Sequence, residues 1–363
     1  MRNLFKPRNL LMIVVVLAVM LGGAVLLPVP LPTILLPAEE LFSVAGFPVT
    51  NTLITTLIAD ITLLVIAFVV GRNLKEIPTG FQNLIEWFLE IFYRMTEDIA
   101  GKVNARRWFP VFMSIMMFLM VANWWELIPG FDSIGVIEPI EVATAHTNGT
   151  VRTGYKLGTV LGIPSLIKEQ VNLDDEQVQE ILAEHEAAAE GGEAAAESES
   201  SAGGIHESKY GAYVLKPLFR AAATDLNVPL ALALISVILT QAEGMRVLGL
   251  KYWRKFFLPT ITGMKPVDAF VGILELISEF AKIISFSFRL FGNVFAGQVL
   301  LFVMPFLIPY FIPLPFYGLE LFVGFMQAFV FAILTLIFLS SAVVSHEGHE
   351  KQGHGAEAAA AAH

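Results

Sequence analysis

No cysteine occurs anywhere in the 363 residues. That excludes disulfide scaffolds, zinc ribbons and thiol nucleophiles. Charge is scarce as well: Asp, Glu, Lys and Arg make up 15% of the chain, where an ordinary soluble domain carries roughly a quarter. The balance is 55% hydrophobic residues and a mean hydropathy of +0.67, the composition of a chain whose solvent is largely lipid. Much of the acid behind the net charge of −10 sits in one stretch, Asp174 to Glu207, so the pI of 5.2 says little about the apolar part. The Lys and Arg residues form short groups between apolar segments, which is no surface for nucleic acid. No phosphate-cradling loop or nucleotide motif is present.

What the chain has in quantity is long apolar runs. The first, Leu10 to Leu36, follows the charged start Arg2, Lys6 and Arg8 and is interrupted by Pro28, Pro30 and Pro32. With small residues around Gly22 to Ala24 it fits a secretory signal peptide, and by length it fits an uncleaved span equally well. Further segments at about Thr52–Val70, Phe109–Ile128, Val228–Ala242, Val267–Pro305 and Pro315–Val344 each meet or nearly meet the ~20 residues a crossing needs. Phe81–Ile99 differs, because Trp87, Phe88, Ile91 and Phe92 alternate with Glu86, Glu90, Arg94, Glu97 and Asp98. That mixture predicts a helix lying along the membrane surface.

Basic clusters at Arg2/Lys6/Arg8, at Arg72/Lys75 with Lys102/Arg106/Arg107, and at Arg246/Lys251/Arg254/Lys255/Lys265 alternate with the spans. If all three face the cytoplasm, residues 130–223 lie outside and the carboxyl terminus inside. The amino terminus is then also inside, provided that the first segment is not cleaved.

Residues 131–223 hold an acidic low-complexity run, EILAEHEAAAEGGEAAAESESSAGG. Asp174 to Ala189 is expected to form an exposed helix and Glu190 to Gly204 to be disordered, as a solvated insertion without chemistry. The tail SHEGHEKQGHGAEAAAAAH offers His346, His349 and His354, but a flexible tail implies no fixed metal geometry. No metal or cofactor is expected.

The most informative stretch is VDAFVGILELISEFAKIISFSFRLFGNVFAGQVLLFVMPF. Helical from Asp268 to Val303, it would be ~54 Å long, nearly twice the hydrocarbon thickness, so it must tilt steeply or lie partly in the membrane plane. Glu275, Ser278 or Glu279, Lys282, Ser285, Arg289 and Asn293 recur at steps of three and four, which predicts one polar stripe. An arginine in mid-membrane costs ~3 kcal/mol even on the lowest scale, and it cannot shed its proton. The stripe must therefore face protein or water. A structural ion pair to a neighbouring helix would explain a lone Arg; a charged stripe points instead to an ion path. Glu320, Gly324 and Gln327 form a second face on the next span, and Gly292, Gly297 and Gly324 permit close helix approach. The Pro-rich link Pro305–Pro315 predicts a hairpin of the two segments.

At FRLFGNVFAGQ, Phe288 to Gln298, the chain resembles the a subunit of the F-type ATP synthases. TDLNVPLALAL (Thr224–Leu234), ANWWELIPG (Ala122–Gly130) and QAFVFAILTLIFLS (Gln327–Ser340) are similar to further motifs of that family, in family order through most of residues 50–345. The resemblance implies that Arg289 is the essential arginine facing a carboxylate of the rotating c-ring. It implies that Glu275, Asn293, Gln298, Glu320 and Gln327 border the ion half-channels, with Gln298 and Glu320 at positions that vary in the family. Lys282, Ser285, Asp225, Asn227 and Asn123 are secondary candidates. The implied partners are c-ring subunits, peripheral-stalk b subunits, the rest of the F1Fo complex and membrane lipid, with H⁺ as the default ion. ATP chemistry would belong to other subunits.

The expected fold is an all-α bacterial inner-membrane protein of five to six hydrophobic helices. It includes a long tilted hairpin at about 267–344 and a surface amphipathic helix. Its expected regions are an amino-terminal segment (1–37), first core spans (38–130), the external insertion (131–223), the ion-channel core (224–345) and a flexible tail (346–363). A secondary ion-coupled transporter is the alternative, since it too would place Arg and Glu in the membrane. No internal repeat links residues 50–130 to 225–345.

Overall fold

The structure, a computed structural model, describes residues 38–44, 46–72, 74–160, 163–191, 207–253, 256, 265–307 and 313–343. The first apolar run, nearly all of Glu190–Gly204, the link at 308–312 and the His-containing tail lie outside these residues. The described residues are mostly helical: α1 (Asn51–Arg72), α2 (Phe81–Glu126), α3 (Ile140–His146), α4 (Asp175–Gly191), α5 (Asn227–Leu248), α6 (Lys265–Leu307) and α7 (Pro313–Val343). Of these, α1, α2, α5 and α7 are long and apolar enough to cross a membrane. The sequence expectation of an all-α membrane protein holds.

In α2 the expected surface helix and the following span are one run broken at a single residue. Gly101 has φ 74° and ψ 157°, outside the helical region and on the side of the map that favours glycine. The chain therefore changes direction there without a loop.

Two compact units can be distinguished. The first takes its described residues from 38–55, 126–221 and 296–321. It contains a hairpin of β1 (Glu40–Val44) and β2 (Phe47–Thr50), and an antiparallel sheet in the order β3-β6-β4-β5. The sheet strands are Gly135–Pro139, Thr153–Val160, Ile163–Asn172 and Tyr213–Pro217, numbered β3 to β6 in chain order. Ile140, Val151, Val178, Ile181, Ala212 and Val214 form its core. Helix α4 starts with a reciprocal cap: the Gln177 N–H donates to Asp174 Oδ1, and the Asp174 N–H donates to Gln177 Oε1, both at 3.0 Å. The helix expected at Asp174–Ala189 is thus present. The sheet beside it was not expected, and it makes much of the insertion a folded subdomain.

The second unit takes its described residues from 56–125, 222–295 and 322–343. Phe112, Met116, Leu119, Phe331, Leu336 and Leu339 are among its buried residues. Hydrogen bonds join its helices where apolar contact alone gives lipid-embedded helices little reason to associate. Ser236 on α5 lies 2.8 Å from Thr335 on α7, and Trp125 Nε1 donates to the Thr62 hydroxyl at 3.1 Å.

Candidate functional site

Helix α6 is one unbroken helix of 43 residues, about 64 Å at 1.5 Å per residue. Its buried side is Glu279, Phe286, Ser287, Leu290, Val294, Gln298 and Leu301. The opposite side is open along Ser278, Ala281, Ser285, Arg289, Gly292 and Ala296, a strip of small residues with one long cation. Ile277, Phe280, Ile284 and Phe288 flank that strip and are also exposed.

Arg289 is exposed, and among the described residues no carboxylate forms an ion pair with it. Its guanidinium carbon lies 6.0 Å from the Phe286 ring centroid. A permanent cation near the middle of an apolar helix thus has an aromatic neighbour and no anion of its own chain within the described residues.

The expected polar stripe divides. Three residues advance a helix by only about 300°, so a stripe built on mixed steps slants around the axis. Glu279 falls on the buried side at 7% exposure, where it accepts from Lys282 Nζ and from Gln241 Nε2, both at 2.8 Å. Tyr252 extends the cluster by donating its hydroxyl to Gln241 Oε1 at 2.6 Å. Lys282 is thereby turned to Glu279 and to the Phe338 ring, 4.7 Å away, rather than to the open strip. Glu275 is half-buried, Ser285 is exposed, and Asn293 is exposed beyond Arg289. Asn293 Nδ2 donates to Gln327 Oε1 at 2.8 Å, so these two candidates do meet. Gln327 is 6% exposed, and its Nε2 is buried with no partner among the described residues.

In the first unit the remaining candidates form a second polar group. Gln298 Nε2 donates to Asp132 Oδ1 at 3.3 Å, and the Glu320 carboxylate packs directly over Gly297. Asp132 and Glu320 are both near enough to act electrostatically on Glu126, and the Arg220 cation acts on Glu126 and on Asp132. Asp132, in the turn after α2, is pushed up to about 7 by burial; the Gln298 hydrogen bond and Arg220 oppose the rise. A carboxyl in that range exchanges protons near neutral pH. Glu126, Asp132 and Arg220 are additions to the sequence-based candidates. The signal for Glu126 is an acid at the apolar end of a span; Asp132 and Arg220 carry no comparable signal.

Three secondary candidates make hydrogen bonds at a turn and between helices. Asp225 accepts from the Asn227 backbone N–H at 3.2 Å and from Asn227 Nδ2 at 3.1 Å, closing the turn into α5. Asn123 Nδ2 donates to the Gly324 carbonyl at 3.3 Å, and a Cβ at 324 would stand 3.2 Å from Asn123 Cβ. Gly324 thus lets α2 and α7 approach closely. Glu320, Gly324 and Gln327 share the buried face of α7, as their spacing implies.

Residues 52–340 match the family described as ATP synthase A chain. The chain is similar to ATP synthase subunit a of Moorella thermoacetica, 26% identical over 308 residues covering 85% of this chain and 97% of that one. It is similar to ATP synthase subunit a of Nitratiruptor sp., 26% identical over 290 residues covering 80% and 88% respectively. A shorter region resembles ATP synthase subunit a of Campylobacter jejuni subsp. jejuni more closely, 40% identical over 134 residues, which are 37% of this chain and 58% of that one. Since the family match spans well over half of its length, the chain belongs to the ATP synthase A chain family, a multi-pass membrane component of the Fo sector.

Proposed function

We propose that this chain is the fixed wall of a rotary proton path, in which Arg289 opposes a carboxylate carried by a c-ring. Membership of the family gives it a role in proton translocation within the F1Fo complex. The observation that carries the finer reading is the exposed Arg289, unpaired among the described residues and set in a strip of small side chains. A buried structural cation would have its anion within its own chain.

The steps follow from electrostatics. A ring carboxylate facing lipid is neutral, because its charged form is poorly solvated there. Beside Arg289 the charged form is stabilised, so its pKa falls and the proton leaves. Release and reloading use two half-channels, one to each side of the membrane. Asn293 and Gln327, with Glu275, are the polar groups we assign nearest the arginine. Glu126, Asp132, Gln298 and Glu320 are those we assign to the other half-channel, with Asp132 able to take up and give back a proton near pH 7. The fixed charge of Arg289 repels a proton that would leak straight through. Each unit charge crossing 100 mV yields ~2.3 kcal/mol, and rotation gathers several. The basic clusters at the inner ends of the spans are assigned to the cytoplasm, with both termini there if the first segment is retained. Peripheral-stalk b subunits are the proposed stator partners.

The test is proton-driven ATP synthesis in vesicles. Arg289→Ala is expected to assemble and to lose coupled synthesis. Arg289→Lys, which keeps the charge but loses the planar fork, is expected to fail as well. Coupled synthesis retained by Arg289→Ala would overturn the proposal.

A further inference from the structure

Asp60 has no part in the path just described. It is the tenth of the 22 residues of α1, about 14 Å from one end and 18 Å from the other at 1.5 Å per residue. In a bilayer whose hydrocarbon is about 30 Å thick, that is close to the midplane. Its side chain is exposed, and among the described residues it makes no hydrogen bond or ion pair. Leu57, Ile61, Leu64, Val65 and Phe68 are exposed around it. Without a partner, a carboxyl here must either carry its charge into lipid or bind a proton and still bury an unsatisfied hydroxyl and carbonyl.

The neighbouring positions describe what relieves that cost. Leu57, Asp60, Leu64, Ala67 and Gly71 follow at steps of three and four, all exposed on one side of α1. That is the seam spacing of two packed helices, and Ala67 and Gly71 let a second backbone come close. We propose that this seam docks a transmembrane helix of a partner subunit, and that the helix brings a Lys, Arg or side-chain amide to Asp60 at mid-membrane depth. Charge selects this occupant over the two that the chain itself could supply. A second copy packed symmetrically would set Asp60 against Asp60. The apolar run Leu10–Leu36 has Thr33, near its end, as its one side chain able to donate a hydrogen bond.

Photo-crosslinking in native membranes tests the seam with Asp60 still in place. Benzoylphenylalanine replaces Leu57 in one variant and Leu64 in another, and the assembled enzyme is irradiated. Both variants are expected to join this chain to a single partner subunit, identified by mass, and to do so equally in an Arg289→Ala background. Crosslinks only to lipid, only within this chain, or only between two copies of it would overturn the proposal. The donor is tested by purification. Asp60→Leu should lower retention of that partner by about fivefold, the effect of losing one interhelical hydrogen bond, while Asp60→Asn, which keeps an acceptor, retains most of it. Equal retention by Asp60→Leu and the unaltered chain would overturn the assignment of a donor.

Discussion

Gly297 of α6 lies so close beneath Glu320 of α7 that a Cβ at position 297 would stand 2.3 Å from the Glu320 Oε1. The carboxylate occupies the space that a side chain would need, so the two positions form one unit. Gly297→Ala must push Glu320 aside. Overpacking of this kind costs about 1–3 kcal/mol, and proton-driven ATP synthesis should fall by roughly tenfold. Gly297→Ala combined with Glu320→Ala should relieve the packing and restore assembly without restoring synthesis. Subunit quantification in membranes and the synthesis rate separate the two effects.

The Asn293–Gln327 hydrogen bond gives a graded prediction. Gln327→Leu removes the acceptor and should slow ATP-driven acidification of vesicles about fivefold, matching the loss of about 1 kcal/mol. Gln327→Glu keeps an acceptor and should change the rate by less than about twofold. A pH-sensitive dye follows both.

Lys282 is expected to matter for stability rather than transport. Lys282→Met leaves Glu279, 7% exposed, without its cation and should cost about 3 kcal/mol. The double variant Lys282→Met/Glu279→Leu removes both charges and should recover most of the loss. Thermal denaturation of the purified complex in detergent reads the difference.

Asp132 sets a pH dependence whose sign follows from its raised pKa. Below about 3.8 the carboxyl is protonated in the folded and unfolded chain alike, and it contributes nothing to the difference between them. Between that value and about 7 the unfolded chain releases the proton and the folded chain keeps it, so stability falls as pH rises. Above about 7 the penalty is complete. Asp132→Asn should therefore raise the Tm at pH 8 and leave it unchanged at pH 3.

The sheet-containing subdomain of residues 135–217 should be separable from transport. Ile140 is fully buried in its core. Ile140→Ala should weaken it by about 2–5 kcal/mol, visible as faster proteolysis between residues 135 and 217, with synthesis rates within about twofold of the unaltered chain.

The long helices were legible because lipid imposes a simple rule: an apolar run of sufficient length must be a helix. Arg289 stands out in the sequence for the same reason, since a permanent charge in such a run is costly. Spacing resolved less well which way each polar residue turns. Glu279 and Lys282 read as members of one polar stripe with Arg289, yet they close on each other because Gln241, from α5, is there to complete the group. Asp132 and Arg220 stayed hidden because acids and bases beside span ends usually meet water. The sheet of residues 135–217 escaped notice because the acidic run within the insertion dominates its composition, while strand pairs such as Tyr155 with Gln170 depend on contacts made at a distance.

The strip of Ser278, Ala281, Ser285, Gly292 and Ala296 has one further consequence. Protein surfaces usually hold a neighbour by interlocking, each side chain lodged in a hollow opposite. These residues offer a neighbour little to lodge against, and along the strip Arg289 is the one long side chain. Against a turning ring of the kind proposed above, such a surface would serve as a bearing. A wall could move past it while staying close, and whatever was felt once per step would be felt at Arg289.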